Sequence, residues 1–146
     1  MPDCVFCELL DGGDARWVAR EDRAVAFLPR PGGELAPGHT LVIPRAHAVG
    51  VLDCEPADLN ATIALVQRVG QAMERALGAT GVVVLNASGT DSGQSVPHLH
   101  FHVVPCWADD EATFWPAEVS AHRMDGPVHE LLAADLSAPS AGRDRL

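Results

Sequence analysis

Three histidines alternate with apolar residues in the run His98-Leu99-His100-Phe101-His102-Val103-Val104. In a strand alternate side chains share a face, so the imidazoles point one way and Leu99, Phe101 and Val103 the other. The apolar face belongs against a core. The polar face presents rings about 7 Å apart, each able to titrate, donate, accept, attack or bind a metal. With seven histidines in 146 residues, composition alone yields such an alternation roughly one or two times in a hundred. Buried neutral imidazoles also need hydrogen-bond partners, which a strand built only for packing has no reason to accept.

Two chemistries compete for this face. His-x-His on a strand can hold one metal ion, as in a zinc hydrolytic site. Alternatively one histidine attacks as a nucleophile while its neighbours orient it. The preceding Gly93-Gln94-Ser95 favours the second, because an amide and a hydroxyl can donate to a phosphate or a leaving-group oxygen. Near the start, Cys4-x-x-Cys7 has the spacing of half a structural zinc site, a weak signal by itself. A redox role for the pair calls for a strand before it and a helix after it, and a cytosolic disulfide has little rationale there.

The elements that must carry these residues are short. Arg16–Arg20 and Ala24–Leu28 read as strands around a polar Glu21-Asp22-Arg23 turn. Pro29 to Gly38 holds three Pro and three Gly and reads as a loop. His39–Ile43 is a third strand, stopped by Pro44. A helix runs from Pro56 to Gly78, with Leu59, Ile63, Val66, Met73 and Leu77 on its apolar face. Gly81–Leu85 is an apolar strand, Asn86–Ser95 a polar loop, His98–Val104 a last strand closed by Pro105, and Pro127–Asp135 a short helix. Adjoining strands with one long helix inserted indicate an α+β fold around an antiparallel sheet.

Length and charge bound the function. A chain of 146 residues suits one domain with one core. No apolar run approaches the roughly 20 residues of a membrane span. The start, Met1-Pro2-Asp3-Cys4, lacks the pattern of a signal peptide, so a cytoplasmic location is expected. Ten Arg, no Lys and twenty acidic residues give a net charge of −10, with the Arg scattered singly, which argues against nucleic acid or an anionic membrane as partner. A small anion remains compatible, since surface charge is screened over about 8 Å at physiological salt.

With its histidine run, Ala26-Phe27-Leu28, Ala36-Pro37-Gly38-His39-Thr40-Leu41-Val42-Ile43-Pro44-Arg45-Ala46-His47, Asn86 and Gly93-Gln94-Ser95-Val96, the chain resembles the histidine-triad (HIT) family of nucleotide hydrolases and transferases over roughly residues 4–106. The resemblance implies a HIT-like fold, an antiparallel sheet of about five strands with one long helix and short helices. It implies one domain over 1–136, with a variable segment 107–136, and a disordered tail at 137–146. It makes His100 the nucleophile that attacks the α-phosphorus, His98 and His102 its catalytic neighbours, and Gln94 and Ser95 contacts to phosphate and leaving group. Asn86 contacts the ribose-phosphate region, and Phe6, Leu9 and Phe27 line the base pocket, although from the residues alone these three read more readily as simple core. His102 in third place resembles the hydrolase branch; transferases and phosphorylases carry Gln there.

Some bacterial members hold structural zinc with residues matching Cys4, Cys7, His47 and His98 here, and the resemblance carries that set over; free thiols and a polar active-site His47 are the other reading. Cys54 and Cys106 read as ordinary residues, and His39, His122 and His129 as surface or hydrogen-bonded. The family's acidic ribose ligand after Ala-Phe-Leu has no counterpart, since Pro29 stands in that stretch and the nearest carboxylate is Glu34. The expected function is a homodimeric hydrolase of nucleoside phosphoramidates or related nucleotidyl conjugates. The acidic Asp109-Asp110-Glu111 run weighs against a long polyphosphate if it lies near the site. The alternatives are a dinucleoside polyphosphate hydrolase, a zinc-stabilised nucleotide-binding protein with little turnover, and a metalloenzyme using the triad as ligands.

Overall fold

Turn residues cut the chain into five strands, and every strand finds an antiparallel neighbour. They are β1 (Trp17–Arg20), β2 (Ala24–Phe27), β3 (Thr40–Pro44), β4 (Gly81–Leu85) and β5 (Phe101–Cys106). They form one sheet in the order β1-β2-β3-β5-β4. Among the described residues there are three helices, α1 (Val5–Leu10), α2 (Pro56–Leu77) and α3 (Val128–Ser137), and the sheet with α1 and α2 makes an α+β unit. The computed structural model describes residues 3–139 in two units, one through Glu111 and the other from Ala112. The sheet, α1 and α2 belong to the first unit and α3 to the second. Ser137 closes α3, and the rest of the expected tail from residue 140 lies outside the described residues. Among the described residues no helix is long and apolar enough to cross a membrane.

Alternation divides the sheet into two faces. On one, Ala24, Ala26, Val42, Leu99, Phe101 and Val103 pack with Leu65, Val66, Val69 and Met73 of α2. On the other, Val25, Phe27, Leu41 and Ile43 pack with Cys4 and Phe6. Pro56 opens α2 at a position where its missing N–H costs nothing, and Gly78 ends it at φ 69. The buried face of α2 is Thr62, Leu65, Val66, Val69, Gly70 and Met73. It is turned from the face expected, leaving Ile63 and Leu77 exposed. Thr62 is tolerated inside because its hydroxyl donates to the Asp58 carbonyl at 2.7 Å. Cutting Leu65 to Ala should cost about 2–5 kcal/mol.

The histidine segment differs from the expected strand. β5 starts at Phe101 and runs to Cys106, past Pro105. His98 and Leu99 bond through their N–H groups to Val96 and Ala48, since the ladder with β3 stops at Val42↔Phe101 although β3 itself runs on to Pro44. Pro105 is accommodated because the register with β3 stops at Thr40↔Val103, so no partner on that side needs its N–H. The two-faced alternation survives these shifts.

One register break matters for the site. Trp17 pairs with Phe27, Ala19 with Ala26 and Arg20 with Val25, leaving Val18 as an extra residue in β1. Such a bulge turns the residues beside it. Trp17 and Arg20 thereby share the Phe27 and Val25 face, while Ala19 packs toward α2.

Candidate active site and metal centre

The cysteine pair begins the first helix. Cys4 is the N-cap of α1, and its thiol accepts the Cys7 N–H at 3.3 Å. One turn separates the two sulfurs, so both lie on one side. The loop after β3 brings His47, and the segment before β5 brings His98. Cys4 Sγ lies 3.4 Å from His98 Nδ1, Cys7 Sγ 3.6 Å from the same atom, and Cys7 Sγ 3.3 Å from His47 Nδ1. Ligand atoms of all four residues fall within 4.8 Å of one another. Tetrahedral zinc, with bonds of about 2.3 Å to sulfur and about 2.0 Å to nitrogen, separates such atoms by about 3.5 Å.

The protonation pattern also fits. His98 Nε2 lies 2.9 Å from the Pro44 carbonyl, which can only accept, so Nε2 carries the proton and Nδ1 the lone pair. Burial lowers the His98 pKa and keeps the ring neutral, the Pro44 bond opposing and the neighbouring His47 and His100 assisting. Burial, with the adjacent Cys4, raises the Cys7 thiol, so a metal must displace that proton. This Cys2His2 cluster is a structural zinc site, because four nitrogen and sulfur ligands leave no open position.

One step along the face, His100 is buried and its Nδ1 lies 2.8 Å from the His98 carbonyl. That oxygen only accepts, so Nδ1 holds the proton and Nε2 keeps its lone pair. A neutral imidazole so anchored is a competent nucleophile. The ring of Phe6 stands edge-on to His100 at 5.5 Å and to His98 at 5.8 Å. The helix that carries the zinc cysteines therefore also walls the central histidine.

His102 sits 5.1 Å from His100 between ring centroids. Its Nδ1 lies 2.9 Å from Nε2 of His39, whose own Nδ1 accepts the Leu35 N–H at 3.0 Å. His39, with Nδ1 accepting, donates through Nε2–H to His102 Nδ1, which leaves His102 with its proton on Nε2. Burial first, then the charges of His100 and His39, push the His102 pKa down to about 4. Burial lowers His39 as well, against the pull of Glu34. Both rings are neutral at pH 7. His39 is the site residue whose role was not legible in sequence: it is buried and hydrogen-bonded, and its partner lies 63 residues away.

The polar loop is knitted to the nucleophile. Asn86 Nδ2 donates to the His100 carbonyl at 2.9 Å, while its Oδ1 accepts from Ser88, whose hydroxyl takes the Val51 N–H. The Gln94 amide donates to the carbonyls of Val49 and Val96 and accepts the Gly89 N–H. Asn86 and Gln94 thus hold backbone in this structure, and Ser95 stands exposed beside them. Phe6 and Phe27 are buried with centroids 5.6 Å apart, and Leu9 packs half-buried against their cluster. Glu34 is held outside: Arg16 pairs with it at 2.9 Å and also donates to the Pro29 carbonyl, and Glu34 accepts the Gly32 N–H at 3.0 Å.

The profile of the HIT domain matches residues 13–108. A HIT-like protein of Saccharolobus solfataricus is 37% identical over 108 residues, covering 73% of this chain and 76% of its own. A zinc-bound histidine triad family protein from Mycobacterium smegmatis superposes with a TM-score of 0.71 at 31% identity, over 77% of this chain and 81% of that one. An adenylylsulfatase of Arabidopsis thaliana is 28% identical over 104 residues, covering 70% of this chain and 52% of its own.

Proposed function

The chain belongs to the HIT domain family, and from that membership we propose a hydrolase of nucleoside phosphoramidates or related nucleotidyl conjugates, working through a nucleotidyl-histidine at His100. The observation that carries the reading is the His100 Nδ1 bond to the His98 carbonyl, which leaves Nε2 as the attacking atom. Nε2 forms a bond to the α-phosphorus, and the bond from phosphorus to the leaving nitrogen or oxygen breaks with its electron pair. The leaving group takes up a proton. Water then attacks the same phosphorus, the bond from phosphorus to Nε2 breaks with its electron pair returning to Nε2, and the proton that water loses balances the one the leaving group took up, releasing a nucleoside monophosphate and the starting His100. His102 supports the step with its Nε2–H, and Gln94, Ser95 and Asn86 frame the phosphate. Phe6, Leu9 and Phe27 receive the base. A relative named as an adenylylsulfatase supports the nucleotidyl class without choosing the leaving group.

Two further features belong to this reading. β4 lies at the edge of the sheet with Val82 and Val84 exposed, beside a groove lined by Val66, Gly70 and Glu74 of α2. An unpaired edge with apolar neighbours suits the second copy of a homodimer. Outside the zinc cluster, Cys54 and Cys106 stand as free thiols, which suits a reducing cytoplasm.

A zinc-stabilised nucleotide binder with little turnover is the second reading. It is favoured by Glu34, whose carboxylate is engaged by Arg16 and Gly32. The deciding experiment follows AMP release from adenosine phosphoramidate by the wild type and His100→Ala, with zinc content recorded on both. The hydrolase reading expects wild-type turnover and a loss of several orders of magnitude in a variant that keeps its zinc. Binding of AMP without turnover in the wild type selects the second reading. Loss of zinc together with His100 returns the triad to a catalytic metal site.

A further inference from the structure

Both ladders of β5 run out beside the nucleophile. Pairing with β4 ends at Leu85↔His102 and pairing with β3 at Val42↔Phe101, so the His100 carbonyl lies beyond both. The Asn86 side chain takes over there, its Nδ2 donating to that carbonyl at 2.9 Å. Asn86 is exposed, so an amide held at one end alone would be free to turn toward water. Ser88 closes the other end. The Val51 N–H donates to its Oγ at 2.9 Å, and that oxygen donates in turn to Asn86 Oδ1 at 2.8 Å. A backbone N–H only donates and an amide oxygen only accepts, so the proton order is fixed from Val51 through Ser88 and Asn86 to His100.

The segment between His47 and α2 is shaped for this contact. A Cβ on Gly50 would stand 2.5 Å from both Cβ and Oγ of Ser88, so glycine is what lets the hydroxyl reach the Val51 N–H. Asp53 braces the same turn, accepting the Gly50 N–H at 2.8 Å and the Val49 N–H at 3.0 Å. The turn is tied to the histidine segment as well, because the Ala48 carbonyl accepts the Leu99 N–H at 2.7 Å. His100 is thus held twice, by its ring on the His98 carbonyl and by its main chain on Asn86. We infer that Ser88 is a positioning residue for the nucleophile: acting through Asn86, its hydroxyl fixes the main chain of His100 and with it the line along which Nε2 meets phosphorus. This deepens the hydrolase reading above and rests on it. A misplacement of about 1 Å at reacting atoms costs on the order of 10²-fold in rate. Ground-state binding, spread over the whole nucleotide, tolerates such a shift, so Ser88 acts on kcat more than on affinity.

The test is a double-mutant cycle on adenosine phosphoramidate turnover by the zinc-loaded full chain: wild type, Ser88→Ala, Asn86→Ala and the double variant. Ser88→Ala should lower kcat by about tenfold and weaken AMP, titrated calorimetrically, by less than about threefold, with zinc content unchanged. In the Asn86→Ala background the same change should cost less than about twofold, because the partner through which Ser88 acts is gone. Wild-type kcat in Ser88→Ala overturns the inference, and so do losses that multiply in the double variant; in both cases wild-type turnover leaves the hydrolase reading standing. A fall in AMP affinity as large as the fall in kcat overturns it too. If Ser88→Ala does not fold, the cycle is run with Ser88→Cys, whose thiol is a weak donor of similar shape, and the same outcomes decide. A wild type without turnover overturns the hydrolase reading and this positioning role with it.

Discussion

His39 Nε2 lies 2.9 Å from His102 Nδ1, and the Leu35 N–H on the far side of His39 sets the direction of that bond. Because a backbone donor cannot reverse, the proton order runs from Leu35 through His39 to His102, leaving His102 as a donor at the site. His39 is therefore a positioning residue for the third histidine.

Replacing His39 with Ala should lower kcat by at least about tenfold with little change in KM. A glutamine at the same position, which can both accept and donate, should restore part of the rate. Steady-state kinetics of the two variants distinguishes lost positioning from general damage, because damage would not be relieved by the amide.

The depressed His102 and His39 pKa values also make a stability statement. Below the ordinary histidine value of about 6.5 the unfolded chain takes up protons that the folded chain refuses, so stability falls as the pH drops. For His102 the window runs from about 6.5 down to about 4. Chemical denaturation at pH 7.5, 6 and 5 should show a falling midpoint, and His102→Gln should flatten the slope.

Removing zinc should release α1. The helix has six residues and is too short to stand alone in water. Chelation, or Cys7→Ser, should lower Tm by about 10 °C or more. It should also raise KM, since Phe6 leaves with the helix. Zinc affinity should weaken as the pH falls, because Cys7 must lose a proton that its burial favours. A competition titration with a colorimetric chelator at several pH values measures both.

Val84 is exposed on the free edge strand. Val84→Arg should leave zinc content intact and convert a dimer to a monomer by sedimentation. A wild type that already sediments as a monomer removes this prediction and the homodimer together.

What was legible in the residues was whatever repeats over short distances. The two-faced alternation around His100, the turns at Glu21-Asp22-Arg23 and Gly78, and the expected strands fall within a few residues of their places. Long-range facts were not legible. Nothing local says that His39 meets His102, that Asn86 ties the His100 backbone, or that the ladder with β3 stops short of His98. The apolar positions of α2 gave a helix but not its rotation. Ile63 and Leu77 fit the period as well as Leu65 and Val69 do, and only the sheet decides which are covered. The bulge at Val18 is likewise invisible, since one extra residue in a short strand leaves no mark in composition.

The zinc cluster joins Cys4 to a histidine 94 residues later. During synthesis the two thiols are made early, while the ring that completes their site is made only after α2 and four of the five strands have been synthesised. Closing so long a loop is entropically costly but only weakly length-dependent, so its timing is set by the order of synthesis. A nascent chain therefore carries an incomplete chelate for most of its elongation, exposed to competing metals and oxidants. Completion of the nucleophile and closure of the metal site then coincide, because His98 and His100 arrive together. The protein has no stage at which it is zinc-sealed and still lacks its central histidine.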